Sequence, residues 1–196
     1  AKLVLPGPML DPESLLELYE KERVTFSAGV PTIWLGILQA LDKEPKRWSL
    51  VPDLRMVVGG AAAPESLVRG LDKHGLRVIH AWGMTETSPM GTIATVKSTL
   101  VDASEDDRYR VRAKQGMPVP FVEIRARGEE GLIPWDGKAM GELEIRGPWV
   151  AASYFDNDEA VDRWTSDGWF RTGDVVTIDA EGYVTIADRT KDLIKS

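Results

Sequence analysis

The chain is 196 residues long, 43% hydrophobic and 28% charged, a globular make-up with room for one large domain or two small ones. It has no cysteine, which removes disulfides, thiolate nucleophiles, Cys-ligated zinc and iron–sulfur clusters, and its two histidines are too few for a multi-histidine metal site. Against 24 Lys and Arg stand 31 Asp and Glu, a net charge of −7 that argues against nucleic acid as a partner.

The longest apolar stretch, Phe26 to Leu41, is interrupted by Ser27, Pro31, Thr32 and Gln39 and is too short to span a bilayer. No basic amphipathic helix suits a membrane surface, and no signal peptide opens the chain. The expected compartment is the cytoplasm. Opening at Ala1 in a strand-like run, the sequence reads as a piece of something longer.

Leu3–Leu5 reads as a short strand closed by Pro6-Gly7-Pro8. Asp11-Pro12 starts a helix, with Asp as the cap and Pro at the first helical position; Leu15, Leu18 and Tyr19 then recur at helical spacing. Val24–Phe26 is strand-like. Thr32 is placed to cap a second helix with the stripe Trp34, Ile37, Leu38 and Leu41. Leu54–Val58 is a buried-type strand ending at Gly59-Gly60, Pro64 opens a third helix that Gly75 closes, and Arg77–Trp82 is the next strand. Strands alternating with helices predict parallel pairing through right-handed crossovers.

The pattern changes near residue 100. Asp102–Arg110 is charged and loop-like, and short strands follow at Val122–Arg125, Glu142–Arg146, Val175–Ile178 and Tyr183–Ala187, with one short helix at Asp158–Arg163. The fold class is therefore α/β: an α/β/α sheet subdomain over 1–112, then a small antiparallel, barrel-like β subdomain over 113–188, with 189–196 left as a polar tail.

Three stretches could carry chemistry. In Gly59-Gly60-Ala61-Ala62-Ala63-Pro64 small residues leave the backbone bare at the carboxyl end of a parallel strand, where open α/β sheets bind ligands; tight strand–helix packing explains the same composition. His80-Ala81-Trp82-Gly83-Met84-Thr85-Glu86-Thr87 offers an aromatic face, a hydroxyl for a phosphate oxygen and a hard carboxylate for Mg²⁺; a core aromatic and a helix-capping pair are the plainer explanation. Asp174, after Gly173, can accept two hydrogen bonds from a ribose diol, or simply form an Asx-turn at a strand start. Arg189 and Lys191 follow in a cationic stretch that suits a phosphate or a solvated linker.

The order of these pieces resembles the adenylate-forming superfamily. Val30-Pro31-Thr32, the Gly59–Pro64 block, Trp82–Thr87, Gly168-Trp169-Phe170-Arg171-Thr172-Gly173-Asp174 and Asp188-Arg189-Thr190-Lys191-Asp192 occur in that superfamily's sequence. Within it the chain is most similar to bacterial medium- and long-chain fatty-acyl-CoA synthetases. The resemblance implies that a carboxylic acid is joined to ATP as an acyl-adenylate and then passed to coenzyme A with loss of AMP. It implies that Trp82 stacks on adenine, with Gly60, Ala61, His80, Ala81 and Gly83 lining the nucleotide side. Thr85 and Glu86 become the catalytic pair, Thr85 at the α-phosphate and Glu86 at Mg²⁺. Asp174 holds the ribose with Arg189, Lys191 is the hinge residue within 189–196, Lys195 lies near the nucleotide, and Trp34 gates the acyl tunnel or merely opens a core stripe. A homodimer is compatible with the resemblance.

The superfamily's Gly/Ser/Thr-rich phosphate loop and its C-terminal catalytic lysine have no counterpart in the sequence. The chain thus looks like the later part of the large N-terminal domain, expected not to turn over alone. Luciferase-like and amino-acid-adenylating enzymes share the same blocks, and a non-catalytic nucleotide-binding module is the other alternative. A nicotinamide-dependent oxidoreductase is excluded, because no Gly-x-Gly-x-x-Gly follows a strand.

Overall fold

The computed structural model describes residues 1–156 and 162–189. The chain divides into two compact units, one formed by 1–80 and 96–113, the other by 81–95 and the residues from 114 onward. The division is not a single cut at 112, because the chain leaves the first unit in the middle of a strand, returns at Val96 and leaves again after Ala113.

The first unit alternates helix and strand: α1 (Pro12–Glu22), β1 (Phe26–Gly29), α2 (Pro31–Lys43), β2 (Leu54–Val58), α3 (Glu65–Lys73) and the first part of β3 (Leu76–Gly83), with α4 (Glu105–Arg112) added later. The strands pair in parallel, Ala28 opposite Val57 and Val58 opposite His80, as the alternation predicts. Asp11 caps α1 by accepting the Ser14 N–H at 3.0 Å, and Pro12 sits inside the first turn. Leu15, Leu16, Trp34, Ile37, Leu67, Val68 and Leu71 bury the helix stripes against Leu54, Met56, Val58, Leu76 and Val78.

Three local expectations fail here. Thr32 caps nothing: α2 starts from Val30 with Pro31 in its first turn. Leu3–Leu5 forms no strand, and Leu3 and Leu5 are exposed. The charged run Asp102–Arg110 is no loop, because Ser104 caps α4 by accepting the Asp107 N–H at 3.1 Å. Acids then fill the first turn of α4 and arginines its last, both signs suiting the helix dipole. Asp72 anchors this helix, accepting from the Tyr109 hydroxyl at 3.0 Å and from the Arg112 guanidinium.

The second unit takes the end of β3. Ala81 and Trp82 pair antiparallel with Ile93 and Thr92 of β4 (Met90–Ile93), which in turn pairs with β5 (Met117–Pro118). Its larger sheet is antiparallel, in the order β10 (Val184–Arg189), β9 (Phe170–Ile178), β8 (Gly141–Arg146), β6 (Glu123–Gly128), β7 (Gly131–Leu132). Among the described residues this sheet is open, although a bridge between Gly116 and Val184 ties the segment before β5 to β10. The core of the unit is Trp82 with Ile124, Ala126, Leu143, Ile145, Phe170, Val176, Ile178 and Val184. The helix expected at Asp158–Arg163 lies largely outside the described residues. No described helix is long and apolar enough to cross a membrane.

Candidate functional site

In the second unit, β9 does not keep strict alternation. Glu142 pairs with Val175 and Glu144 with Arg171, so Thr172, Gly173 and Asp174 together face the single residue Leu143. Such a bulge re-aims side chains. Gly173 supplies its left-handed turn, with φ of 78°. The Thr172 hydroxyl donates to the Leu143 carbonyl at 2.9 Å and accepts the Asp174 N–H at 3.1 Å. Asp174 is thereby held in mid-strand rather than at a strand start, only 8% exposed.

Its carboxylate Oδ2 accepts the indole N–H of Trp82 at 2.8 Å. Trp82 is also 8% exposed, so the pair is largely enclosed and the ring has one orientation. Gly91 makes room for that ring: a Cβ there would sit 2.4 Å from Trp82 Cζ3. The same indole is therefore both a member of the core and a hydrogen-bond partner of Asp174. Arg189 stands directly opposite Asp174 in the β10–β9 register. Lys191 and Lys195 lie outside the described residues.

Gly83 ends β3 where no side chain fits, since a Cβ would come within 1.6 Å of the Pro89 carbonyl oxygen. A short 3-10 helix, Thr85–Thr87, follows. Thr87 pins it from inside, accepting the Met84 N–H at 2.9 Å and donating to the Pro89 carbonyl at 2.6 Å. Thr85 is exposed on this turn and Glu86 is partly buried. The Glu86 main-chain carbonyl accepts the Ala151 N–H at 2.8 Å, and its carboxylate Oε1 accepts the Tyr154 hydroxyl proton. Burial, and then the Glu86 carboxylate, raise the Tyr154 hydroxyl above the ordinary tyrosine value and keep it a donor. Tyr154 was not singled out from the sequence, because a residue 68 positions from Glu86 leaves no local signal.

Among the described residues no three His, Asp or Glu side chains converge as a metal cage. One carboxylate with one oxygen engaged still fits Mg²⁺, which keeps most of its waters and is held through one or two carboxylates plus substrate phosphates.

In the first unit, Gly60 and Ala61 are exposed at the carboxyl end of β2, Gly60 with φ of 80°, as the bare-backbone reading requires. His80 differs from its expectation. It is 1% exposed, its Nε2 accepts the Ala63 N–H at 3.3 Å, and its Nδ1 meets the Ala113 carbonyl at 3.0 Å. Both ring nitrogens are engaged, which fixes the neutral tautomer with the proton on Nδ1. His80 thus holds the loop that contains Ala63. Ala81, the first residue of the second unit, is buried. Trp34 is 1% exposed and donates its indole N–H to the Val57 carbonyl at 3.2 Å. It borders a cavity of about 670 Å³ lined also by Leu15, Leu18, Tyr19 and Ile33.

A model of the AMP-binding enzyme family matches residues 1–155. Over its whole length the chain is 49% identical to a long-chain-fatty-acid–CoA ligase of Thermus thermophilus and 48% identical to a medium-chain-fatty-acid–CoA ligase of Ectopseudomonas oleovorans, covering 36% of each. It spans, then, about a third of the length of these relatives. The crystal structure of a long-chain-fatty-acid–CoA ligase from Archaeoglobus fulgidus superposes with a TM-score of 0.74 at 27% identity, covering 94% of this chain and 38% of that one. With the ordered blocks, the strand ends that carry them and a family match over most of its length, the chain belongs to the AMP-binding enzymes.

Proposed function

We propose that this chain supplies much of the nucleotide-facing wall of an acyl-CoA synthetase. The observation that carries the reading is the Trp82–Asp174 pair, an aromatic ring and a carboxylate held together at 2.8 Å. The similarity to long- and medium-chain ligases supports a fatty acid as the carboxylic substrate, and cytoplasm as the compartment suits a cysteine-free chain.

The reaction has two steps. The acid's carboxylate oxygen attacks the α-phosphorus of ATP, the bond to pyrophosphate breaks, and an acyl-adenylate forms. The coenzyme A thiol then attacks the acyl carbon, and AMP leaves with the bonding pair. A carboxylate is a poor electrophile, so the adenylate provides its leaving group. The protein's share is positioning and charge stabilisation. In this reading Asp174 accepts the ribose hydroxyls with Arg189 beside it, and Trp82 stacks on the base. Thr85 donates to the α-phosphate, and Glu86 faces the Mg²⁺ carried by the nucleotide. The ion, when bound, neutralises charge on the phosphate oxygens.

The test is calorimetric binding of a non-hydrolysable acyl-AMP mimic, comparing the chain with Asp174→Asn. Asparagine keeps an acceptor for the Trp82 N–H and removes the charge that the ribose diol uses. Markedly weaker binding by the variant supports the reading. Equal binding, or none by a folded chain, removes Asp174 from the site.

A further inference from the structure

Glu86 is held from a distant part of the second unit. The segment Ala151–Tyr154 bonds it twice, main chain to main chain at 2.8 Å and hydroxyl to carboxylate. That segment is itself fixed by Trp164, whose indole N–H donates to the Ala151 carbonyl at 3.0 Å. The Trp164 ring meets Tyr154 edge-on at 5.3 Å and leans on the fully buried Phe170 at 5.1 Å. The Tyr154 ring therefore has little freedom, and its hydroxyl is presented from an anchored frame. Oε1 of Glu86 is occupied, while Oε2 has no hydrogen-bond partner among the described residues. A glutamate on a short turn, only partly buried, would otherwise sample several rotamers.

We propose that Tyr154 is a positioning residue: its hydroxyl holds the Glu86 carboxylate by one oxygen and leaves the other for the magnesium that accompanies a nucleotide. This rests on the reading of Glu86 given under Proposed function. A partner of this kind orients a metal-facing carboxylate without touching the metal, and losing one typically weakens metal affinity roughly 10–100-fold.

The experiment is calorimetric titration of ATP, with and without Mg²⁺, into the chain and into Tyr154→Phe, Glu86→Gln and the double variant. Tyr154→Phe keeps the ring that Trp164 packs on, and thermal unfolding checks that it stays folded. The readout is the gain in ATP affinity on adding Mg²⁺. We expect that gain to fall by about tenfold in Tyr154→Phe and in Glu86→Gln, and no further in the double variant, with metal-free binding little changed. A gain kept in Tyr154→Phe but lost in Glu86→Gln overturns the inference and leaves the nucleotide reading standing. Losses that add in the double variant also overturn it, because Tyr154 then acts by another route. Absence of magnesium-dependent ATP binding in the unaltered chain removes the nucleotide reading and the inference with it.

Discussion

The indole N–H of Trp82 and the carboxylate of Asp174 meet at 2.8 Å although 92 residues separate them in the chain. Asp174 is thus more than a candidate ribose ligand: it also helps to fix the plane of the Trp82 ring. Loss of the carboxylate strands a buried donor, so Asp174→Ala is expected to cost about 1–3 kcal/mol of stability. Asp174→Asn, which can still accept, should cost less than half as much. Urea denaturation followed by circular dichroism separates the two. Equal losses would mean that the pair adds nothing to stability.

Two glycines near Trp82 leave no room for a methyl group, Gly83 against Pro89 and Gly91 against the ring. Alanine at Gly83 puts a methyl carbon 1.6 Å from the Pro89 carbonyl oxygen, which no rotamer relieves. Gly83→Ala is therefore expected to lose more than about 3 kcal/mol. Gly91→Ala meets the Trp82 ring edge, 2.4 and 2.7 Å away, and Ile145 Cδ1 at 3.1 Å, side-chain atoms that can shift at an overpacking cost of about 1–3 kcal/mol. The near-ultraviolet dichroism of the indole should change in the second variant, and denaturation midpoints should rank the two.

His80 ties the Gly59–Pro64 loop to β3 through the Ala63 amide. His80→Leu keeps the bulk and removes the acceptor. Exchange of the Ala63 amide proton with solvent should then quicken while the amides of β2 keep their protection. Unchanged exchange at Ala63 would separate the loop from His80.

Trp34 fills the core of the first unit and keeps its indole N–H on Val57. Trp34→Ala is expected to cost about 3–5 kcal/mol, the range for a buried large aromatic. A ring that instead swings as a gate would tolerate truncation with a loss under about 1 kcal/mol and a change in acyl preference.

Asp179 supplies a pH-dependent element. Burial raises its pKa, but the Lys114 ammonium at 2.5 Å and the amides of Tyr183 and Glu181 outweigh that and hold it below the ordinary value. A depressed folded pKa contributes stability in full above the unfolded value of about 3.9, and the contribution fades as pH falls through the lower folded value. Asp179→Asn should therefore be less stable than the parent at pH 7. The gap should close in acid, which a pair of denaturation series between pH 7 and pH 2 checks.

Periodicity and breakers in the sequence determined the helix–strand alternation of the first half, the Asp11 cap, the glycine-rich end of β2 and most strands of the second half. These are local matters: a stripe every third or fourth residue, a carboxylate three residues before an amide, a glycine where φ turns positive. The signs of α4 were also local, a serine cap with acids before arginines, and a charged composition hid them. The five ordered blocks carried the family for the same reason, since each is a short run of neighbours.

Tertiary structure alone decided which of those blocks touch. No spacing in the chain brings Trp82 to Asp174 or Tyr154 to Glu86: the first pair is closed at a bulge in β9, the second by a loop that bonds a short 3-10 turn. It also decided that His80, a candidate ligand by position, spends both ring nitrogens on the main chain. Burial and hydrogen-bond partners are properties of packing between residues far apart in sequence, and they appear only once the chain has closed on itself.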